Sequence, residues 1–174
     1  KEKGQVNIKE LKDVFSVEAL NKDFFKTYKA HYEKFTKYLA DETNPFRAKL
    51  IDSEKETKDK AEKPIRDFVK KLLGRIVFLQ FLEKKGWMGC DANTQDWTDG
   101  NPRFMYQLFE DFGQPEKFHS QCLTKLFFET LNTKRPNDTF EVDGLNGKLN
   151  GSRVPYLNGG LFEPEKNKVT LEID

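Results

Sequence analysis

The chain has 174 residues, 36% hydrophobic and 34% charged, with a formal net charge of +1. Sixteen Phe argue for one folded domain with a filled core and against disorder, and the near-neutral balance excludes a global field drawing the chain onto nucleic acid. The two cysteines, with no CxxC spacing, exclude a disulfide framework and suit a reducing cytoplasm; no signal peptide and no bilayer-length apolar run is present.

Residues 1–13 form a polar lead. Ser16 is a suitable helix N-cap, with Val14 and Phe15 before it as staple residues. Val17, Leu20, Phe24, Tyr28, Tyr32, Phe35 and Leu39 follow at three- and four-residue steps, predicting one apolar stripe on a helix of roughly 17–41. The opposite face is Lys and Glu, a solvated surface. Asn44-Pro45-Phe46 breaks the pattern, and the charged residues 47–63 suit a solvated helix. Pro64 fits the first turn of a new helix over 64–85. That helix is apolar nearly all round between 72 and 82, the mark of a buried central element. Lys84 and Lys85 suit its C-terminus, and Gly86 suits the residue just past it.

Residues 86–102 are a Gly-, Asn- and Asp-rich loop. A short helix over 103–112 should bury Phe104, Leu108, Phe109 and Phe112. Another over 115–132 should turn Phe118, Cys122, Leu126 and Phe127 or Phe128 inward. Residues 138–153 hold two Asn-Gly pairs, which predict a short strand and an exposed hairpin or loop. VPYLNGGLFE (154–163) comes next, then a strand-like piece, KVTLEID. The expected architecture is mostly α, an irregular helical bundle of about four to five helices with small β pieces near the C-terminus. The expected units are the lead 1–13, a bundle 14–136, an insertion 137–153 and an exit segment 154–174. A start at Lys1 without Met, and an end at Asp174 inside the VTLEID run, read as a piece of a longer protein.

Residues able to do chemistry are few. His31 and His119 lack metal-spaced partners, and His31 reads as a partly buried residue beside the first stripe. Cys122 reads as a packed thiol and Cys90 as an exposed loop thiol. No Ser/His/Asp arrangement assembles. Asp52, Glu56 and Lys58 imitate a nuclease D…ExK set but lack the strands that would converge two carboxylates on Mg²⁺. Asn44-Pro45-Phe46 and Asn101-Pro102 lack the second Pro of an adenine-methyltransferase motif. Asn158-Gly159-Gly160 is a lone glycine pair, not a phosphate cradle. Lys70, Lys71, Arg75, Lys84 and Lys85 share one helix, and Lys134 and Arg135 follow another; these cations are candidates for DNA backbone contact.

Three segments, LLGRIVFLQFLEKKGWMG (72–89), LTKLFFETLN (123–132) and VPYLNGGLFE, occur in that order with FSVEALNKDFFKTYKAHYEKF (15–35) ahead of them. The ordered set resembles the connector region of type IIG, Eco57I-like bacterial restriction–modification enzymes over roughly residues 14–165. The resemblance implies a non-catalytic helical connector between an endonuclease and an adenine-specific DNA methyltransferase, in a bacterial cytoplasm. It implies duplex DNA as the partner of the parent enzyme, and S-adenosylmethionine and Mg²⁺ as cofactors bound outside this chain. It carries over no catalytic, cofactor-binding or metal-binding residue. Two alternatives stay open: the same module in a phage-defence methyltransferase lacking a nuclease, and a stand-alone helical interaction domain. In VPYLNGGLFE, Pro155 restricts Val154 to extended geometry, and Gly159 and Gly160 permit a turn with positive φ. Tyr156, Leu157, Leu161 and Phe162 then anchor both sides of the turn, either as an interdomain docking clasp or as an ordinary packed turn.

Overall fold

The computed structural model describes residues 18–55, 57–157 and 160–164. The expected cap Ser16, the staple residues Val14 and Phe15, the polar lead 1–13, Glu56, Gly159 and the KVTLEID strand lie outside them. In chain order the α-helices are α1 (Glu18–Ala40), α2 (Arg47–Leu50), α3 (Lys58–Ala61), α4 (Lys63–Lys84) and α5 (Phe104–Phe112). The fold is mostly α, as the periodicity predicts.

Local chemistry explains the breaks. Beyond α1, the Asn44 side chain donates to the Tyr38 carbonyl (2.9 Å) and accepts from the Phe46 N–H (2.9 Å). Arg47 Nε donates to the Ala40 carbonyl at 3.0 Å. Carbonyls left open at the end of a helix are thereby satisfied, and the Asn-Pro motif has a structural use. The solvated helix expected over 47–63 is instead two four-residue helices, α2 and α3, joined by a turn. Leu50 draws α2 inward, because it is buried with Leu39, Ile65, Val69 and Leu73.

Pro64 stands in the first turn of α4. The exit from α4 is a Schellman motif: Trp87 N–H reaches the Leu82 carbonyl (3.1 Å) and Gly86 N–H the Glu83 carbonyl (2.9 Å). Gly86 has φ +72°, the left-handed geometry that this position needs. The carboxylate of Glu83, itself buried, accepts the Met105 N–H at 2.9 Å and so caps α5 from a neighbouring helix. Within α5, Phe104, Leu108 and Phe112 are buried as expected, but Phe109 is exposed and Met105 takes its place inside.

The helix expected over 115–132 exists with a different winding. A 3₁₀ turn, Pro115–Lys117, leads into π-helical segments Phe118–Leu123 and Lys125–Leu131. Cys122, Leu126 and Phe127 face inward as expected. The Thr124 hydroxyl donates to the Ser120 carbonyl within this stretch, a side chain competing for the helical ladder.

Residues 138–153 depart most from the sequence reading. Among the described residues the β pieces reduce to isolated antiparallel bridges that pair Arg153 with Cys90 and with Thr139. Gly144, Gly147 and Gly151 adopt φ of 79°, 84° and 87°, so the chain turns every few residues and no ladder extends. The segment is a loop rather than a hairpin, and its apolar side chains are not exposed. Phe140, Val142, Leu145 and Leu149 are buried in one cluster with α4, α5 and the π-helical stretch. Truncating Phe140 should therefore behave as a core lesion. Phe140→Ala is expected to lower the unfolding free energy by about 3–5 kcal/mol, read by urea denaturation, whereas Lys148→Ala on the exposed side of the same segment should change it by less than about 0.5 kcal/mol.

A candidate latch at the glycine turn

The described part of VPYLNGGLFE is packed against its own bundle. Val154 is buried, its N–H reaching the Asp138 carbonyl at 3.0 Å. Leu157 is partly buried against the main core, and its N–H meets the Leu131 carbonyl at 2.7 Å. Tyr156 is half-buried, with the Lys134 ammonium 5.7 Å from its ring. Gly160–Phe162 forms a 3₁₀ turn. Gly160 is not in the left-handed region, contrary to expectation, because it begins that turn.

Two adjacent residues then point in opposite directions. Phe162 is fully buried, its ring centroid 5.8 Å from those of Phe78 on α4 and Phe127 in the π-helical stretch. Leu161 remains 40% exposed. The backbone on either side of Phe162 is held by Arg75. Its Nε donates to the Leu161 carbonyl at 2.8 Å and its Nη2 to the Glu163 carbonyl at 3.2 Å. The guanidinium lies 5.3 Å from the Phe127 ring and 5.0 Å from the Phe128 ring, within cation–π range. Apolar insertion and a cation on two carbonyls together form a latch.

Arg135 has a comparable role further back. Its N–H groups reach the carbonyls of Thr139 (2.9 Å), Thr133 (3.0 Å), Asp138 (3.1 Å), Val154 (2.6 Å) and Thr130. Those five bonds match the five donors a guanidinium has. Burial draws the Arg135 pKa below its ordinary value, with Asp138 acting in the opposite sense. Neither Arg75 nor Arg135 presents these donors to a phosphate. Among the other expected backbone contacts, Lys70, Lys71, Lys84, Lys85 and Lys134 are exposed. Lys70 lies 6.0 Å from the Tyr32 ring and Lys85 lies 5.6 Å from the Phe81 ring.

Sequence reasoning missed Arg153. Its guanidinium lies 4.2 Å from the Trp97 ring, donates to the Asp96 carbonyl at 3.4 Å and also bonds the Thr94 carbonyl. With the backbone pair Cys90–Arg153 (3.0 and 2.8 Å), it ties loop 86–102 to the start of the latch segment. A sequence signal existed for Arg75, the lone charge between Leu72 and Leu82. A cation inside such a run serves the fold more readily than the solvent.

The histidines and thiols also differ from expectation. His31 is exposed, not partly buried, because α4 covers the other side of the α1 stripe. Cys90 is buried rather than exposed, its thiol donating to the Gly86 carbonyl at 3.3 Å. Burial, with Asp99 as a hydrogen-bond partner, pushes the Cys90 pKa up to about 11, and burial alone pushes Cys122 to about 12. Such thiols are poor nucleophiles. His119 packs edge-on against Phe68 (5.6 Å), with Nδ1 buried and unpaired. Among the described residues no group of three or more His, Cys, Asp or Glu is placed to hold a metal ion, and no helix is long and apolar enough to cross a membrane.

These contacts define an α-helical packing unit whose C-terminal segment is latched to a central helix by Arg75 and Phe162. Neither a protein-family profile nor a solved structure matches the chain. A protein of Methanocaldococcus jannaschii, named as a type II restriction enzyme and methyltransferase, is 29% identical over 111 residues. The aligned stretch is 62% of this chain and 8% of that relative, so the chain spans a small part of the protein that it resembles. The similarity is distant, and it relates the chain to restriction–modification proteins.

His119 supplies a test of the packing beneath the latch. Burial first, and then the nearby Arg75 charge, hold its pKa below the ordinary 6.5. The unfolded chain therefore binds a proton that the fold resists, so stability should be full above about pH 6.5 and decline as the pH falls through that value. His119→Gln should flatten this part of the profile in chemical denaturation across pH 5–8.

Proposed function

We propose that the chain is a non-catalytic helical connector of a type II restriction–modification enzyme. It holds an endonuclease domain and an S-adenosylmethionine-dependent adenine methyltransferase domain in fixed relation, and the Mg²⁺ and methyl-donor chemistry belong to those domains. The observation that carries this reading is the latch: Arg75 and Phe162 fix the direction in which the polypeptide leaves the bundle, in a chain related to a restriction enzyme and methyltransferase. A connector needs defined geometry at its exit more than it needs reactive groups. Leu161, facing outward beside the buried Phe162, is then the residue presented to the following domain. The exposed Lys70, Lys71, Lys84, Lys85 and Lys134 supply cations for duplex DNA backbone in the assembled enzyme.

The structure separates two substitutions that the sequence grouped together. In the parent enzyme, Leu161→Arg should raise proteolytic sensitivity after residue 163 and lower activity, with the isolated chain's melting temperature unchanged. Phe162→Ala should destabilise the isolated chain itself by about 3–5 kcal/mol. Unaltered proteolysis and activity in the Leu161 variant would remove the docking reading and leave an ordinary packed turn.

The DNA surface has its own readout. Binding of duplex DNA by the chain should weaken with rising salt, and each Lys→Ala among the five should reduce the log–log slope by about 0.9 where it meets a phosphate. Salt-independent binding, or none, would restrict the chain to scaffolding.

A further inference from the structure

α1 carries two apolar seams on adjoining flanks. Tyr28, Tyr32 and Leu39 pack into the cluster shared with α2 and α4. The second seam runs through Phe24, Tyr28, His31, Phe35 and Tyr38 at steps of four, three, four and three residues. That is the repeat by which one helix packs along another. At 100° per residue this row lies beside the α4 contact rather than within it. Its members are open: Phe24 is 43%, Phe35 41% and Tyr38 59% exposed. Contiguous aromatic surface of this kind marks an interaction site.

The charges on the seam's outer edge select the occupant. Asp23 and Lys34 both stand on the flank away from α4, are exposed, and form no ion pair with another described residue. A second copy of α1 laid antiparallel on the seam brings Asp23 against Lys34 of the partner subunit, and the two-fold axis repeats the pair in reverse. The edge is thus complementary to itself in the antiparallel orientation.

We propose that this face is a self-association surface: two copies of the chain pair antiparallel through α1, with the Phe24–Tyr38 seam at the centre and Asp23–Lys34 pairs at the rim. The proposal concerns a face separate from the latch and stands whether or not the connector reading does. Sedimentation velocity of the 174-residue chain across the micromolar range tests it. A monomer–dimer equilibrium is expected, weakened by salt through the rim pairs. Phe35→Glu should raise the dimer Kd about tenfold or more, with circular dichroism unchanged because the residue is exposed. Asp23→Lys should weaken the dimer, and adding Lys34→Asp should restore it. A monomer at every concentration, a dimer indifferent to Phe35→Glu, or a charge swap that fails to rescue would each overturn the proposal. Capture of the monomer by another segment of a longer protein would do so too.

Discussion

α4 has to satisfy two separate apolar clusters along one helix. Ile65, Val69 and Leu73 face the cluster shared with α1 and α2. Leu79 and Leu82 face the larger cluster built from α5, the π-helical stretch and residues 140–162. At 100° per residue the buried face shifts by nearly a third of a turn between the two sets. That shift is why the helix reads as apolar nearly all round, although its outer side, with Lys70, Val77, Lys84 and Lys85, meets solvent. Each fully buried aliphatic side chain contributes about 1.5–3 kcal/mol, so both clusters draw on the same helix for their order. The Glu83 cap on α5 and the Arg75 hold on the latch also start from this helix.

Beyond Leu131 the described chain has almost no regular ladder, and its carbonyls need donors from elsewhere. Arg75 and Arg135 provide them, and Arg153 does the same for the loop before α5. Arg75 serves residues 161 and 163, Arg135 serves five carbonyls between 130 and 154, and Arg153 reaches back to loop 86–102. The planar, multi-donor guanidinium suits this use, since one side chain can bridge several strands of coil while stacking on Phe127, Phe128 or Trp97. The irregular described segment beyond Leu131 is thereby held without a sheet.

The latch has a direction built into it. Burial of Phe162 and exposure of Leu161 occur at neighbouring residues, with Arg75 fixing the peptide groups around them. Under the proposed connector role this coupling matters more than any single contact. The segment cannot reorient Leu161 without withdrawing Phe162 from between Phe78 and Phe127.

Sequence by itself determined α1, α4 and α5 and where they stop. Three- and four-residue spacing set α1, α4 and α5 to within a residue or two, and Pro64 and Gly86 marked the ends of α4, because periodicity and backbone sterics act locally. It also pointed to apolar anchors in VPYLNGGLFE: Leu157 and Phe162 pack into the core, whereas Leu161, expected as an anchor too, is exposed. Tertiary structure alone decided which side chains would be used. Arg75 and Arg135 are candidates for DNA contact in the sequence, yet the carbonyls of Leu161 and Glu163 claim Arg75, and five carbonyls between 130 and 154 claim Arg135. Residues 138–153 look like an exposed hairpin or loop, yet the gap between α4, α5 and the π-helical stretch takes in Phe140, Val142, Leu145 and Leu149. The aromatic stripe of α1 is continuous in the sequence, and only the placement of α4 divides it into a covered flank and an open one. Local propensity fixes what a segment can form, whereas burial and carbonyl satisfaction depend on neighbours that no local pattern records.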